Sequence, residues 1–211
     1  MTAVRSIREE RTNARVSVSL CVLRFSHLSL YSTTTTLTTP AWARSPKEGK
    51  AERALNLFRE MNKLYLAGNK HLRPNVVAVN AVMNACAYTV GGIKEQGRAM
   101  EIAHTILQEL EQSPYGKPDQ VTYGTFLQVC DSQMHICSTR SQLMDVLFKK
   151  CCKDGQVGNL VLQQLKTMAT DEEYRSMFGQ GSDEPIRMED LPSDWWCNVV
   201  EGKWRRKRNL N

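Results

Sequence analysis

Apolar residues recur at helical spacing through the middle of the chain. In residues 51–65, 98–110 and 141–152 they fall at positions i, i+3, i+4 and i+7, which is one side of an amphipathic helix. The three stripes consist of Ala54, Leu57, Phe58, Met61 and Tyr65; of Ala99, Ile102, Ala103, Ile106 and Leu110; and of Met144, Leu147, Phe148 and Cys151. The pattern predicts three amphipathic helices.

Between these helices the chain repeats itself. RPNVVAVNAVMNAC at residues 73–86 returns 44 residues later as KPDQVTYGTFLQVC at residues 117–130. Each copy begins with a proline and an amide or acid and ends on a cysteine, with apolar residues in register at Val79 and Tyr123, Val82 and Phe126, and Met83 and Leu127. A turn followed by a helix therefore occurs twice, which is typical of arrays whose helix pairs stack on their neighbours to form a core.

The predicted fold is all-α: an α-α superhelical repeat array, or short solenoid of helix-turn-helix units, with disordered N- and C-terminal tails. The array spans residues 46–178, divided into a partial first unit (51–75), a second unit (76–119), a third unit (120–155) and trailing helices (156–178). Gly91, Gly92 and Gly97 mark the turn inside the second unit, whose insertions near 91–92 and 113–116 are expected to project as loops. A short helix is expected at 171–178, capped by Thr170 with Glu173 three residues on.

The first 45 residues differ in composition from the rest. Up to Arg44 there are six arginines against two acids, with fourteen serines and threonines. This bias is typical of an organellar transit peptide, and the mitochondrion is the expected destination, with plastid or cytoplasm as alternatives. A disordered tail or a misplaced start codon would give the same composition. Residues 179–211 are expected to form a loop and a tail rich in tryptophan and basic residues.

Composition excludes several classes of protein. Seven cysteines without a C-x-x-C pair argue against a disulfide framework and a zinc finger, and no stretch has the length and apolarity of a membrane span. No phosphate-binding glycine loop, G-x-S-x-G or H-E-x-x-H motif occurs. We expect a protein that is not an enzyme and has no cofactor or metal; Cys151 and Cys152 fit a buried helix face more readily than a redox pair.

The repeated segments, together with AERALNLFREM at residues 51–61, resemble the pentatricopeptide repeat family. The resemblance covers residues 51–168, and residues 140–165 with LPSDWWCNV at 191–199 also resemble the C-terminal part of family members found in algae such as diatoms. It implies that each helix pair contacts one base of single-stranded RNA, in organellar RNA processing or stability and alongside other RNA-processing proteins.

The resemblance also implies which residues contact RNA. Base recognition falls to Asn80 with Asp119, a pair that favours uracil in this family, and to Asn75 for the partial first unit. Val77 and Val121 would flank a bound base. Gly124 occupies the position where the third unit needs a polar side chain, so that unit is expected to stack without selecting a base.

Each of these features has an alternative explanation. Asn75 and Asp119 are also good helix N-caps, and Asn80 is then an ordinary polar residue near a helix start. The alternative function is a protein-interaction scaffold of tetratricopeptide type without a nucleic-acid ligand. The net charge of +6 suits RNA, and Lys and Arg near Asn80 are expected to bind phosphates and to make binding salt-sensitive. Trp195 and Trp196, beside the basic run 205–208, would either stack on nucleic acid or cap the last apolar face of the array.

Overall fold

The computed structural model describes residues 48–178 and 186–200, and this part of the chain is helical, without strands. Its seven α-helices are α1 (Lys50–Leu66), α2 (Val76–Ala87), α3 (Ile93–Gln112), α4 (Gln120–Gln133), α5 (Ser138–Lys153), α6 (Asn159–Met168) and α7 (Asp171–Phe178). Short 3-10 turns lie at Lys70–Leu72, Met188–Asp190 and Ser193–Trp195. The all-α prediction is confirmed; the predicted transit segment and the last eleven residues lie outside the described ranges.

The two repeated segments begin their helices in the same way. Asn75 and Asp119 are both extended N-caps, and their side-chain oxygens accept the backbone N–H of Ala78 at 2.9 Å and of Thr122 at 2.8 Å. Each cap satisfies a backbone donor at the start of its helix, a contribution of about 1 kcal/mol. The 44-residue repeat of the sequence is therefore also a repeat of local structure.

The helices pack in two groups. One group is formed by the alternate helices α2, α4 and α6, in which α4 packs on both α2 and α6. On the other side α1 packs on α2 and α3, α3 packs on α2 and α4, and α5 packs on α4. The core between them contains the repeated apolar positions, each no more than 4% exposed: Val79, Val82, Met83 and Cys86 of α2, and Tyr123, Phe126, Leu127 and Cys130 of α4.

The predicted stripes of α3 and α5 are buried in full, whereas that of α1 is not. Ala54 and Met61 are buried, but Leu57 is 37% exposed, so its assignment to the core is wrong. The elements that α1 packs on most extensively are α2, α3 and the short turn after it. A side chain that points away from these elements is left partly exposed, as Leu57 is.

The predicted turn in the second unit is shorter than expected. Gly91, at φ 146°, and Gly92 lie in the turn, but α3 already begins at Ile93, so Gly97 lies within the helix. A glycine inside a helix costs about 1 kcal/mol relative to alanine, which the fully buried stripe of α3 outweighs. Residues 113–116 lie outside the helices, as predicted.

The C-terminal segment packs back on the helices. Thr170 and Glu173 form the predicted capping pair at α7, with the Thr170 N–H 2.8 Å from Glu173 Oε2 and the Glu173 N–H 3.2 Å from Thr170 Oγ1. Trp195 packs edge-on against Phe148 of α5, with ring centroids 5.6 Å apart. Trp195 and Trp196 are both partly buried against the core. This placement agrees with the expectation that they cover the last apolar face of the helices, rather than with rings left exposed to stack on nucleic acid.

Candidate nucleic-acid interface

Asn80, Asp119 and Thr122 form one hydrogen-bonded cluster between α2 and α4. Asn80 Nδ2 donates to Asp119 Oδ1 at 3.2 Å. The Thr122 hydroxyl lies 2.8 Å from Asn80 Oδ1 and 2.9 Å from Asp119 Oδ1, and it accepts the Asp119 backbone N–H at 3.2 Å. The structure thus brings together the two residues that the family resemblance paired, although they are 39 positions apart in the chain.

The cluster fixes the orientation of the Asn80 amide. One amide N–H points to the Asp119 carboxylate and the carbonyl oxygen faces the Thr122 hydroxyl. Exchanging the amide's oxygen and nitrogen would place the amide oxygen against a carboxylate oxygen, where neither group has a proton to share. The second amide N–H and the second carboxylate oxygen have no partner among the described residues. Both residues are half-buried, so this donor and this acceptor belong to side chains that are held in place and partly exposed.

Asn75 is placed differently from Asn80. It is exposed, and its side-chain oxygen accepts the Ala78 N–H at the start of α2. The described part of the chain holds no helix before α1 that could supply its partner in the first unit. The segment 38–46, in which the sequence shows two prolines and no stripe, lies outside the described residues.

The two valines proposed to flank a base lie near the helix starts and are exposed. Val77 is 54% exposed and Val121 is 41% exposed, and each is the second residue of its helix. Single exposed aliphatic residues are common on protein surfaces. The two valines occupy equivalent positions of the two repeated segments, and both are available for contact from solvent.

In the third unit, Gly124 occupies the position that corresponds to Asn80, and a neighbouring helix packs directly against it. A Cβ atom added to Gly124 would lie 2.7 Å from Leu160 Cγ and 3.0 Å from its Cδ2, because Leu160 of α6 covers this part of α4. Gly158, the N-cap of α6 and the counterpart of Asp119, offers no side chain, and the Gln120 side chain fills the space beside it. The third unit therefore presents no side chain at either of the two positions that correspond to Asn80 and Asp119.

Charge near the cluster is not supplied by the helices that form it. Neither α2 nor α4 contains a lysine or an arginine. Arg73 and Lys117 each lie two residues before a cap; the Arg73 guanidinium is 5.8 Å from the ring centre of Tyr115, and Lys117 donates to the Glu111 carbonyl at 2.7 Å. The basic residues expected around Asn80 are therefore absent from α2 and α4 themselves, and Arg73 and Lys117 are the ones that stand just before these helices in the chain.

Three of the helix cysteines, Cys86, Cys130 and Cys151, are buried thiols, and Cys152 is half-buried. Burial raises the pKa of Cys86 and of Cys130 to about 12, and that of Cys152 to about 11. Cys151 is buried and its pKa is raised for the same reason. A thiol with such a pKa is protonated at neutral pH and is a poor nucleophile. Within the described ranges no group of three or more His, Cys, Asp or Glu residues is placed to hold a metal ion.

Sequence reasoning missed Thr122, Leu160 and Gly158. Thr122 stands three residues after Asp119, the spacing of a capping box, and this spacing was the available signal. Leu160 is the counterpart of Val121 in α6, but the register of α6 is not visible from the sequence, since the proline that marks the other two junctions is absent before it. No helix in the described part of the chain has the length and apolarity needed to cross a membrane.

Comparison of the chain with protein-family models, with curated proteins and with solved structures gives no match.

Proposed function

We propose that this protein binds single-stranded RNA through α2 and the start of α4, with Asn80 and Asp119 contacting one base and preferring uracil. The observation that carries this proposal is the cluster of Asn80, Thr122 and Asp119, which joins two successive repeats and leaves one donor and one acceptor side by side. A helix cap alone requires neither Asn80 nor a contact between repeats.

The chemistry of uracil fits this pair. Its Watson–Crick edge places an N–H donor beside carbonyl acceptors, and single-stranded bases are recognised through hydrogen bonds to such edges. The unpaired Asn80 N–H would donate to a uracil carbonyl, and the second Asp119 oxygen would accept the uracil N–H. Adenine and cytosine present a ring nitrogen lone pair where uracil has the N–H, and this lone pair would face the carboxylate.

The wider proposal is a short α-α superhelical array of the pentatricopeptide type that acts in organellar RNA processing or stability. Support comes from the equivalent caps of α2 and α4 and from the succession of α2, α4 and α6. The mitochondrion is the proposed location, with plastid or cytoplasm as alternatives. Asn75 and the flanking residues Val77 and Val121 belong to the same proposed surface.

One observation favours a second function. The helices α2 and α4 carry no basic residue, and Val77 and Val121 are exposed, so this surface also suits an uncharged peptide. A protein-interaction scaffold of tetratricopeptide type is therefore the alternative. Binding to RNA and binding to a peptide differ in their dependence on salt and on the base, and one experiment distinguishes them.

The test is fluorescence anisotropy of the full chain with labelled oligo-U, oligo-A and duplex RNA at two salt concentrations. Oligo-U should bind about tenfold more tightly than oligo-A, since one hydrogen bond to a charged group contributes about 1.5–3 kcal/mol. Asn80→Ala should remove this preference. Asn84→Ala, one helical turn further along α2, is the matched control and should retain it.

Equal binding of all three RNAs by the wild-type chain would contradict base recognition and leave only a basic surface. Absence of binding at moderate salt would contradict the RNA proposal and favour the protein scaffold.

A further inference from the structure

A cavity lies between α1, the start of α2 and the end of α3. It has a volume of about 170 Å³ and opens to solvent. Most of its wall is apolar and is formed by Phe58, Val79, Ile106 and Leu110. An apolar cavity of about 150 Å³ accommodates a benzene molecule, so this space admits one six-membered ring. Concave, mainly apolar spaces with a few polar groups are typical of small-molecule sites.

The cavity is lined by one amide that has no partner. Asn62 of α1 contributes this amide; its side-chain oxygen is buried and accepts no hydrogen bond from the described residues, and its N–H groups donate none to them. The last side-chain torsion of asparagine is broad. The Asn62 amide can therefore turn toward a ligand without breaking a hydrogen bond. An amide is matched by a ligand edge that carries a donor beside an acceptor.

The one carboxylate that lines the cavity is already paired. Arg59 donates two hydrogen bonds to Glu109, from Nη1 to Oε2 at 2.6 Å and from Nη2 to Oε1. A two-point pair of this kind engages both oxygens of the carboxylate. A cationic ligand would have to compete with Arg59 for them, and an anionic ligand would be repelled by Glu109. The cavity is therefore best suited to a neutral ligand.

The rim of the cavity is held in place by the loop after α3. The Tyr115 N–H donates to Ser113 Oγ at 2.9 Å, and the Tyr115 ring meets the ring of Tyr65 edge-on, with centroids 5.7 Å apart. Pro114 in this loop and Pro74 before α2 also line the cavity, and proline fixes one of the two backbone torsions of its residue. A site whose walls are already ordered loses less entropy when it binds a ligand.

We propose that this cavity binds a small neutral molecule that consists of one six-membered ring with an amide edge, an N–H beside a carbonyl group. The ring lies against the apolar wall, and the Asn62 amide pairs with the amide edge. Neither Asn80 nor Asp119 lines the cavity, so this site is separate from the proposed RNA site and its occupation requires no RNA.

The test uses three probes on the full chain without RNA, followed by the shifts of nuclear magnetic resonance signals. Benzamide has one ring and an amide, toluene has the ring alone, and 2-naphthamide has two rings and an amide. The variant is Asn62→Ala, whose missing side-chain signals identify those of Asn62. The matched control is Asn56→Ala, which removes an exposed asparagine of the same helix that does not line the cavity.

Benzamide should bind the wild type with a Kd of about 1 mM and shift the signals of Asn62, Ile106 and Leu110. Asn62→Ala should weaken benzamide about tenfold, because two hydrogen bonds between neutral groups are lost. The same substitution should change toluene binding by less than about threefold, so the two probes and the two side chains form a double-mutant cycle. Asn56→Ala should bind both probes as the wild type does.

Urea unfolding separates this role from a structural one. Asn62→Ala should not lower stability, since the amide has no partner to lose and alanine favours a helix. Should this variant fail to fold, Asn62→Leu keeps a side chain of similar size without its polar atoms and should weaken benzamide in the same way.

Three results would overturn the inference. Equal weakening of benzamide and toluene by Asn62→Ala would show that Asn62 shapes the cavity without pairing with a ligand. Binding of 2-naphthamide as tight as that of benzamide would contradict the limit to one ring. Unchanged Asn62, Ile106 and Leu110 signals with every probe would mean that the cavity holds only solvent. None of these results bears on the proposed RNA site, which is tested by oligonucleotide binding.

Discussion

The Asn80 amide of α2 donates to the carboxylate of Asp119, the N-cap of α4, at 3.2 Å. Asp119 also caps α4 through the Thr122 N–H, so one side chain both starts a helix and fixes the amide on the neighbouring helix. The structural role and the proposed recognition role of Asp119 can be separated because asparagine caps helices about as well as aspartate.

Asp119→Asn should leave the stability within about 0.5 kcal/mol of the wild type, whereas Asp119→Ala should lower it by about 1–2 kcal/mol through loss of the cap. Urea unfolding checks this. The same Asp119→Asn variant should lose the preference for oligo-U over oligo-A, because an amide can turn a donor toward a ring nitrogen. Retention of that preference would contradict the assignment of Asp119.

Gly124→Ala should destabilise the protein by about 1–3 kcal/mol, since the added methyl group meets Leu160 Cγ at 2.7 Å in a packed core. Gly97→Ala is the matched control: it lies in α3 with nothing within 4 Å of its Cβ position, and it should stabilise by about 0.5–1 kcal/mol. Adding Leu160→Ala to Gly124→Ala should recover part of the loss, a coupling that a double-mutant cycle measures. Equal effects of the two glycine substitutions would contradict the packing of α6 on α4.

Trp195→Ala should loosen the attachment of the C-terminal segment, because it removes the edge-on contact with Phe148. The expected loss of stability is about 1–2 kcal/mol, less than for a fully buried tryptophan, because this ring is half-buried. Hydrogen exchange of the Val157 amide, which donates to the Trp195 carbonyl, should become faster in the variant. The Val82 amide inside α2 is the control and should be unaffected.

Stability should fall as the pH rises above about 9, the usual pKa of a thiol. Burial raises the pKa of Cys86 and Cys130 to about 12, so between these values the unfolded thiols lose protons that the folded thiols keep. Each thiol contributes up to about 1.4 kcal/mol per pH unit to this loss. Urea unfolding at pH 8, 9 and 10 should give a steeper decline for the wild type than for Cys86→Ala; parallel curves would contradict the burial of this thiol.

The sequence predicted the helices best where the apolar period and the caps agreed. Residues 76–87 and 120–133 had a proline, a cap and a repeated stripe, and both helices begin at the expected residue. The prediction that Gly97 lies in a turn was wrong, because burial of the apolar stripe of α3 outweighs the low helix propensity of one glycine. Leu57 belongs to the apolar stripe of α1 but is exposed. A periodic stripe identifies one face of a helix, but it does not show whether another helix covers every residue of that face.

The candidate site was predictable as far as the repeat register allowed. Asn80 and Asp119 were paired through the resemblance to the pentatricopeptide repeat family, and the repeat register supplied the positions to which that resemblance was applied. Thr122 and Leu160 were not found, since their roles depend on which atoms of neighbouring helices lie within about 3 Å, and spacing along one chain does not give these distances. The contact of Gln120 with Val200, 80 residues away, could be found only from the structure.

The most direct test of the central claim is photo-cross-linking of the full chain to a short oligo-U that carries one 4-thiouridine, followed by mapping of the attached peptides. The account predicts cross-links to the starts of α2 and α4, in the peptides that contain Val77, Asn80 and Val121, and their loss in Asn80→Ala. Cross-links confined to other surfaces, and unchanged in Asn80→Ala, would contradict recognition of uridine by the Asn80–Asp119 pair.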